Sequence, residues 1–139
     1  MAAAGTLVTE VLDVKEARGR TFAVLDAGST PSAVCRAWGG CGRPTRARTG
    51  SAARGRCADR RAVAVLLVGP LCTPLDVLNR SADVGDARAG DLFAVPNVGA
   101  YGLTASLVGF LSHPLPVEVV HDGGTVTSVR RLGLGETRL

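Results

Sequence analysis

The chain predicts an all-β domain, a Greek-key-like barrel or sandwich, on three observations. Short apolar runs rich in β-branched residues recur along its 139 residues. Gly and Asp turn chemistry separates them, and no amphipathic stretch of full helical length intervenes. At 46% hydrophobic content the sequence has apolar material for one core, so residues 1–139 read as a single domain.

Thr6 to Val14 is a β-branched run ending at Ala17-Arg18-Gly19, and Thr21 to Leu25 repeats the strand pattern, which together predict a β-hairpin. Asp26-Ala27-Gly28-Ser29 stops the second strand with residues that favour turns. Ala62 to Val68 is apolar throughout and short enough for a buried strand, and its end delivers the following residues to a loop. Asp91 to Val95 and Val117 to His121 predict two more strands, and Asp122-Gly123-Gly124 turns the latter into Val126 to Arg130. One or two helical turns are expected near Thr104 to Leu111.

Residues 35–60 fit none of this pattern, being Arg, Gly, Ala and Cys with a period of neither 2 nor 3.6. They predict an irregular, mobile excursion, and three origins compete: a disordered surface loop, a nucleic-acid-binding arm, or an out-of-frame stretch of a GC-rich gene. The formal charge of +4 is concentrated there: Cys35 to Arg61 holds eight arginines against Asp59 alone, a net +7. The remainder carries 8 basic and 11 acidic residues, a net −3, so the basic character belongs to one segment rather than to the fold. Trp38 is its single aromatic, whereas single-strand binders interleave several stacking rings with their cations. A small basic nucleic-acid binder is therefore a disfavoured alternative, since arginines alone give non-specific, salt-sensitive attraction.

No run approaches the roughly 18 to 20 apolar residues of a membrane span, and Met1-Ala2-Ala3-Ala4-Gly5 lacks a signal peptide's basic start and apolar block. A cytoplasmic chain with reduced thiols is expected. Cys35, Cys41, Cys57 and Cys72 show no Cys-x-x-Cys spacing, His113 precedes a proline, and His121 ends a strand, so no metal site is expected.

Two motifs carry chemistry: Gly69-Pro70-Leu71-Cys72-Thr73-Pro74-Leu75-Asp76 and Gly99-Ala100-Tyr101-Gly102. Taken singly, each suits an ordinary turn. Taken in order with Thr6 to Lys15, Thr21 to Gly28 and Gly90 through Val119, they resemble the carboxy-terminal domain of the fold-type III, pyridoxal-phosphate-dependent decarboxylases of ornithine, diaminopimelate and arginine. The resemblance implies a β-barrel domain that serves a cofactor held by an amino-terminal α/β barrel. The cofactor lysine and the phosphate-binding sequence of the family belong before Met1, so the chain reads as a truncated or split member, inactive alone. Lys15, the only lysine, sits at a strand end and is a solvated side chain on this reading.

By resemblance, Cys72 is the proton donor to the substrate carbon that loses carbon dioxide, and Tyr101 contacts cofactor phosphate or ring, both across a dimer interface. A thiol is a competent acid near neutral pH, and a phenol donates to a phosphate oxygen without adding charge. The alternative for Cys72 is a small buried hydrophobe. Both residues are expected on one surface. The best-known members have an acid after the cysteine, which pairs with the substrate's distal amine. Thr73 stands there instead, and a hydroxyl cannot supply that charge-assisted bond. Asp76 either shapes the loop or reaches the interface. Pro74-Leu75, Gly99 through Ser106 and Phe110 through Pro114 look more like the branch whose members can decarboxylate aminoacyl groups tethered to carrier proteins. The expected partner is a pyridoxal-phosphate barrel or decarboxylase subunit, and a catalytically inert module docking on an intact decarboxylase is the other alternative.

Overall fold

In the computed structural model, residues 5–27, 45–47, 64–98 and 107–138 are described. They form eight strands: β1 (Thr6–Ala17), β2 (Arg20–Leu25), β3 (Thr45–Ala47), β4 (Ala64–Val68), β5 (Val77–Asp83), β6 (Leu92–Pro96), β7 (Val117–Asp122) and β8 (Thr125–Arg131). Six make one sheet in the order β3-β6-β1-β2-β4-β5, and β7 pairs with β8 in a separate hairpin. Every pairing is antiparallel except β2 with β4. After the β1–β2 hairpin the chain builds β4 and β5 on one side, then returns to the far edge of β1 as β6, which is a Greek-key-like path. The domain is all-β, as expected; its helical content among the described residues is the 3-10 turn Phe110–Ser112, at the end of the predicted helical stretch.

β1 is long because it serves two neighbours. Thr6 to Glu10 pair with β6, and Val11 to Ala17 pair with β2. A bulge at Leu12 marks the start of the second ladder: Val11 faces Leu25 and Asp13 faces Val24, leaving Leu12 as the extra residue, half exposed. Asp26, just past β2, ties the changeover together. Its Oδ1 accepts the Thr9 hydroxyl at 2.5 Å and the Glu10 N–H at 2.9 Å, while its own N–H donates to the Glu10 carbonyl at 2.9 Å. Thr9 is 1% exposed, so its hydroxyl needs that partner. On the other side the Val11 N–H donates to the Asp91 carbonyl, and the Gly90 N–H to the Val11 carbonyl, both at 2.8 Å.

The core is the inward face of this sheet: Val11, Ala23, Leu25, Val65, Leu67, Leu78, Ala82, Val84, Phe93 and Val95. Their spacing of two within β2, β4 and β6 follows from the alternation of side chains across a strand. Both tight hairpins use positive φ at two successive positions, Arg18 and Gly19 (52° and 71°), then Gly123 and Gly124 (53° and 91°), as the right-handed strand twist requires. In contrast to the core, the β7–β8 hairpin leaves Val117, Val119, Val120, Val126 and Val129 exposed.

Two elements depart from the pattern read in the sequence. Within the segment expected to be irregular, Thr45 to Ala47 form β3 on the edge of β6; the rest of residues 35–60 lies outside the described residues. β5 carried no strand signal. Its ladder with β4 shifts register twice, and the Asn79 side chain accepts the Ser81 N–H at 2.8 Å, so Asn, Arg and Ser occupy a bulged edge where alternation breaks down. Among the described residues no helix is long and apolar enough to cross a membrane.

Replacing the fully buried Phe93 by Ala is expected to lower stability by about 3–5 kcal/mol. Asp26→Ala should cost about 1–3 kcal/mol through the stranded Thr9 hydroxyl, and Val129→Ala within about 0.5 kcal/mol. Urea unfolding followed by far-ultraviolet circular dichroism checks the ranking, and an Asp26→Ala midpoint equal to that of Val129→Ala contradicts it.

Candidate functional site

The Gly69 to Asp76 loop joins β4 to β5. Val68, the last residue of β4, lies beside Val24 of β2 and Val77 of β5, so the loop leaves the sheet at the end where β2 runs into Asp26. Cys72 is a free, exposed thiol. The alternative of a small buried hydrophobe therefore does not describe it. Leu75, three residues on, is 71% exposed, an uncovered apolar side chain on the same loop.

The loop is held from within. Asp76 is 2% exposed, and its Oδ2 accepts the Leu71 N–H at 2.8 Å. Its backbone N–H donates to the Thr73 carbonyl at 3.1 Å, and its carbonyl accepts the Gly69 N–H at 3.1 Å. The Thr73 N–H donates to the Leu71 carbonyl at 2.8 Å, and the Thr73 Oγ1 accepts the Leu75 N–H at 3.3 Å. The buried Asp76 carboxylate is thus bonded to backbone of its own loop. Thr73 is half-buried, its hydroxyl oxygen turned to the neighbouring backbone. Tyr101, and with it the expected meeting of Cys72 and Tyr101, lies outside the described residues.

A pyridoxal phosphate site needs an amine for the aldehyde and a cradle for the phosphate. Lys15 is exposed within the β1–β2 ladder, in register with Phe22, and is not part of the loop. The described residues therefore do not make such a site by themselves. They also hold no group of three or more His, Cys, Asp or Glu placed for a metal ion. The sequence drew no attention to a shallow cleft of about 390 Å³ between the 3-10 turn and the end of β8, lined in part by His113, Pro114, Arg131 and Leu134. Leu134 fills the space over Gly109, where a Cβ would meet its Cδ1 at 2.6 Å. Cys72, Thr73 and Asp76 do not line it. A second buried carboxylate, Asp91, also went unnoticed; its Oδ2 accepts the Arg88 N–H at 2.6 Å and shapes the turn into β6.

Known proteins place this arrangement. The chain is 36% identical over 136 residues to the L-glutamyl-[BtrI acyl-carrier protein] decarboxylase of Niallia circulans, which covers 98% of this chain and 32% of that protein. It is 35% identical over 131 residues to the diaminopimelate decarboxylase of Vibrio cholerae, covering 92% of this chain and 28% of the relative. A crystal structure of diaminopimelate decarboxylase superposes with a TM-score of 0.70 at 28% identity, over 94% of this chain and 31% of that one. The chain thus spans about a third of the length of these relatives. Residues 3–99 match the family model described as the C-terminal sheet domain of pyridoxal-dependent decarboxylases. That match takes in the six-stranded sheet and the Cys72 loop, and the chain belongs to this family of decarboxylase C-terminal sheet domains.

Proposed function

We propose that this chain acts as the C-terminal sheet domain of a pyridoxal-phosphate-dependent decarboxylase and supplies Cys72 and Tyr101, across a subunit interface, to a cofactor held by an α/β barrel. The observation that carries the reading is the exposed Cys72 thiol on an internally fastened loop within a sheet domain of this family. The exposed Leu75 beside it, and the uncovered valines of β7 and β8, are surfaces that a partner would remove from water. The barrel supplies the cofactor lysine and phosphate cradle, and the cofactor supplies the electron sink for loss of carbon dioxide. The part played by this chain is the proton. The Cys72 S–H bond breaks as a C–H bond forms at the decarboxylated carbon, leaving a thiolate that solvent reprotonates. Tyr101 contributes a phenolic donor to phosphate or ring. The setting is cytoplasmic, where the thiol stays reduced.

The substrate is an aminoacyl group without a free distal ammonium, presented by a carrier protein. The loop's one carboxylate, Asp76, is buried and turned inward, and Thr73 stands where an acid would hold a second amine. The Niallia circulans relative acts on a carrier-bound glutamyl group.

The 139-residue chain alone, given pyridoxal phosphate and then borohydride, should acquire no covalent label at Lys15; a labelled Lys15 peptide in mass spectrometry would contradict the assignment. Mixed with the barrel portion of a family decarboxylase, the chain should restore turnover, and Cys72→Ala should lower kcat at least about 100-fold, the lower bound for a lost general acid. Tyr101→Phe should instead weaken cofactor retention. In the same mixture, Thr73→Glu should raise kcat/KM for diaminopimelate by about tenfold or more, as roughly 1.4 kcal/mol from a charge-assisted bond would give. Equal kcat/KM for both forms would remove the substrate argument.

A further inference from the structure

We propose that Asp76 is a positioning residue for proton delivery, fixing the backbone on both sides of Cys72 so that the thiol is presented in one orientation. The proposal rests on the reading of Cys72 as proton donor. Asp76 reaches the loop through three separate polar groups. Its carboxylate holds Leu71, the residue before Cys72, and its N–H holds the carbonyl of Thr73, the residue after it. Its carbonyl fastens Gly69 at the loop's entrance. The side chain is 2% exposed while Cys72 is exposed, so the anchor is on the protein side of the loop and the thiol on the outer side.

Placement in the fold makes this anchor rigid. Asp76 immediately precedes β5, whose first residue, Val77, pairs with Val68 at the end of β4. The next residue, Leu78, belongs to the core. The loop thus starts and ends on paired strands, and the carboxylate ties its crest to that base. A buried carboxylate exacts a solvation cost unless donors satisfy it, which makes its geometry hard to relax. The backbone hydrogen bonds made by Asp76 survive replacement of the side chain. The carboxylate bond to Leu71 does not, and it is the one that sets the approach to Cys72.

The test uses the full chain labelled with nitrogen-15. In the native protein the Cys72 amide should have an order parameter near the rigid value of about 0.85. Asp76→Ala should drop it below about 0.6 with Phe93 unchanged, whereas Asp76→Asn, which keeps a carbonyl oxygen acceptor, should preserve it. Unchanged order at Cys72 in Asp76→Ala would overturn the proposal. So would loss of the whole sheet in that variant, since Asp76 would then belong to the framework rather than the loop. In the barrel mixture, Asp76→Ala should lower kcat about tenfold or more with KM within about twofold, and should have no further effect on top of Cys72→Ala. Additive losses in the double variant would show that Asp76 does not act through the thiol. If Cys72→Ala itself left turnover unchanged while the loop lost order as expected, the proton-donor reading would fail and the anchoring would stand.

Discussion

The architecture depends on the point at which β1 changes neighbour. A single strand pairs with β6 through Glu10 and with β2 from Val11 onward, and the groups exposed at that changeover are met by Asp26 on one side and the Gly90-Asp91 backbone on the other. The constraint is one of satisfaction: the Thr9 hydroxyl is buried, and a buried hydroxyl without an acceptor costs about 1–3 kcal/mol. With Asp26 in place, β6 and β2 sit on opposite edges of one strand, and Phe93 and Val95 join Ala23 and Leu25 in the same core. β4 adds in parallel to β2, and its end fixes where the Cys72 loop begins.

The loop repeats that logic on a smaller scale. A carboxylate at the base, Asp76, holds backbone at the crest, so an exposed thiol-bearing turn stands on a framework with little freedom. Side chains that touch substrate must be accessible, and the groups that aim them are better buried. Within five residues of this loop Cys72 is exposed and Asp76 buried. Thr73 contributes to the fastening through its hydroxyl oxygen, which accepts the Leu75 N–H.

The fold was legible wherever alternation was intact. Ala23 and Leu25, Val65 and Leu67, and Phe93 and Val95 sit two apart and face one core, and the hairpin turns at Arg18-Gly19 and Gly123-Gly124 stand where Gly chemistry put them. Bulges hid the rest. Val11 and Val14 both turn toward the core although three residues apart, because Leu12 is extra. β5 carries Asn79, Arg80 and Ser81 between buried Leu78 and Ala82, and with Arg80 exposed at the position between them the apolar alternation is broken where the ladder shifts register. At the site, the motif around Cys72 was visible as residues. That Asp76 is buried could not be, because it depends on how the loop closes between the ends of β4 and β5. The cleft beside His113 and Arg131 joins residues 18 apart in sequence and had no local signature.

The central claim is that the Cys72 loop faces a partner barrel. Amide hydrogen exchange of this chain, alone and mixed with the barrel portion of a family decarboxylase, tests it most directly. The account predicts slower exchange on mixing across residues 69–76, where Leu75 and Cys72 are exposed in the chain alone. Protection confined to other surfaces, with exchange at residues 69–76 unchanged, would contradict it.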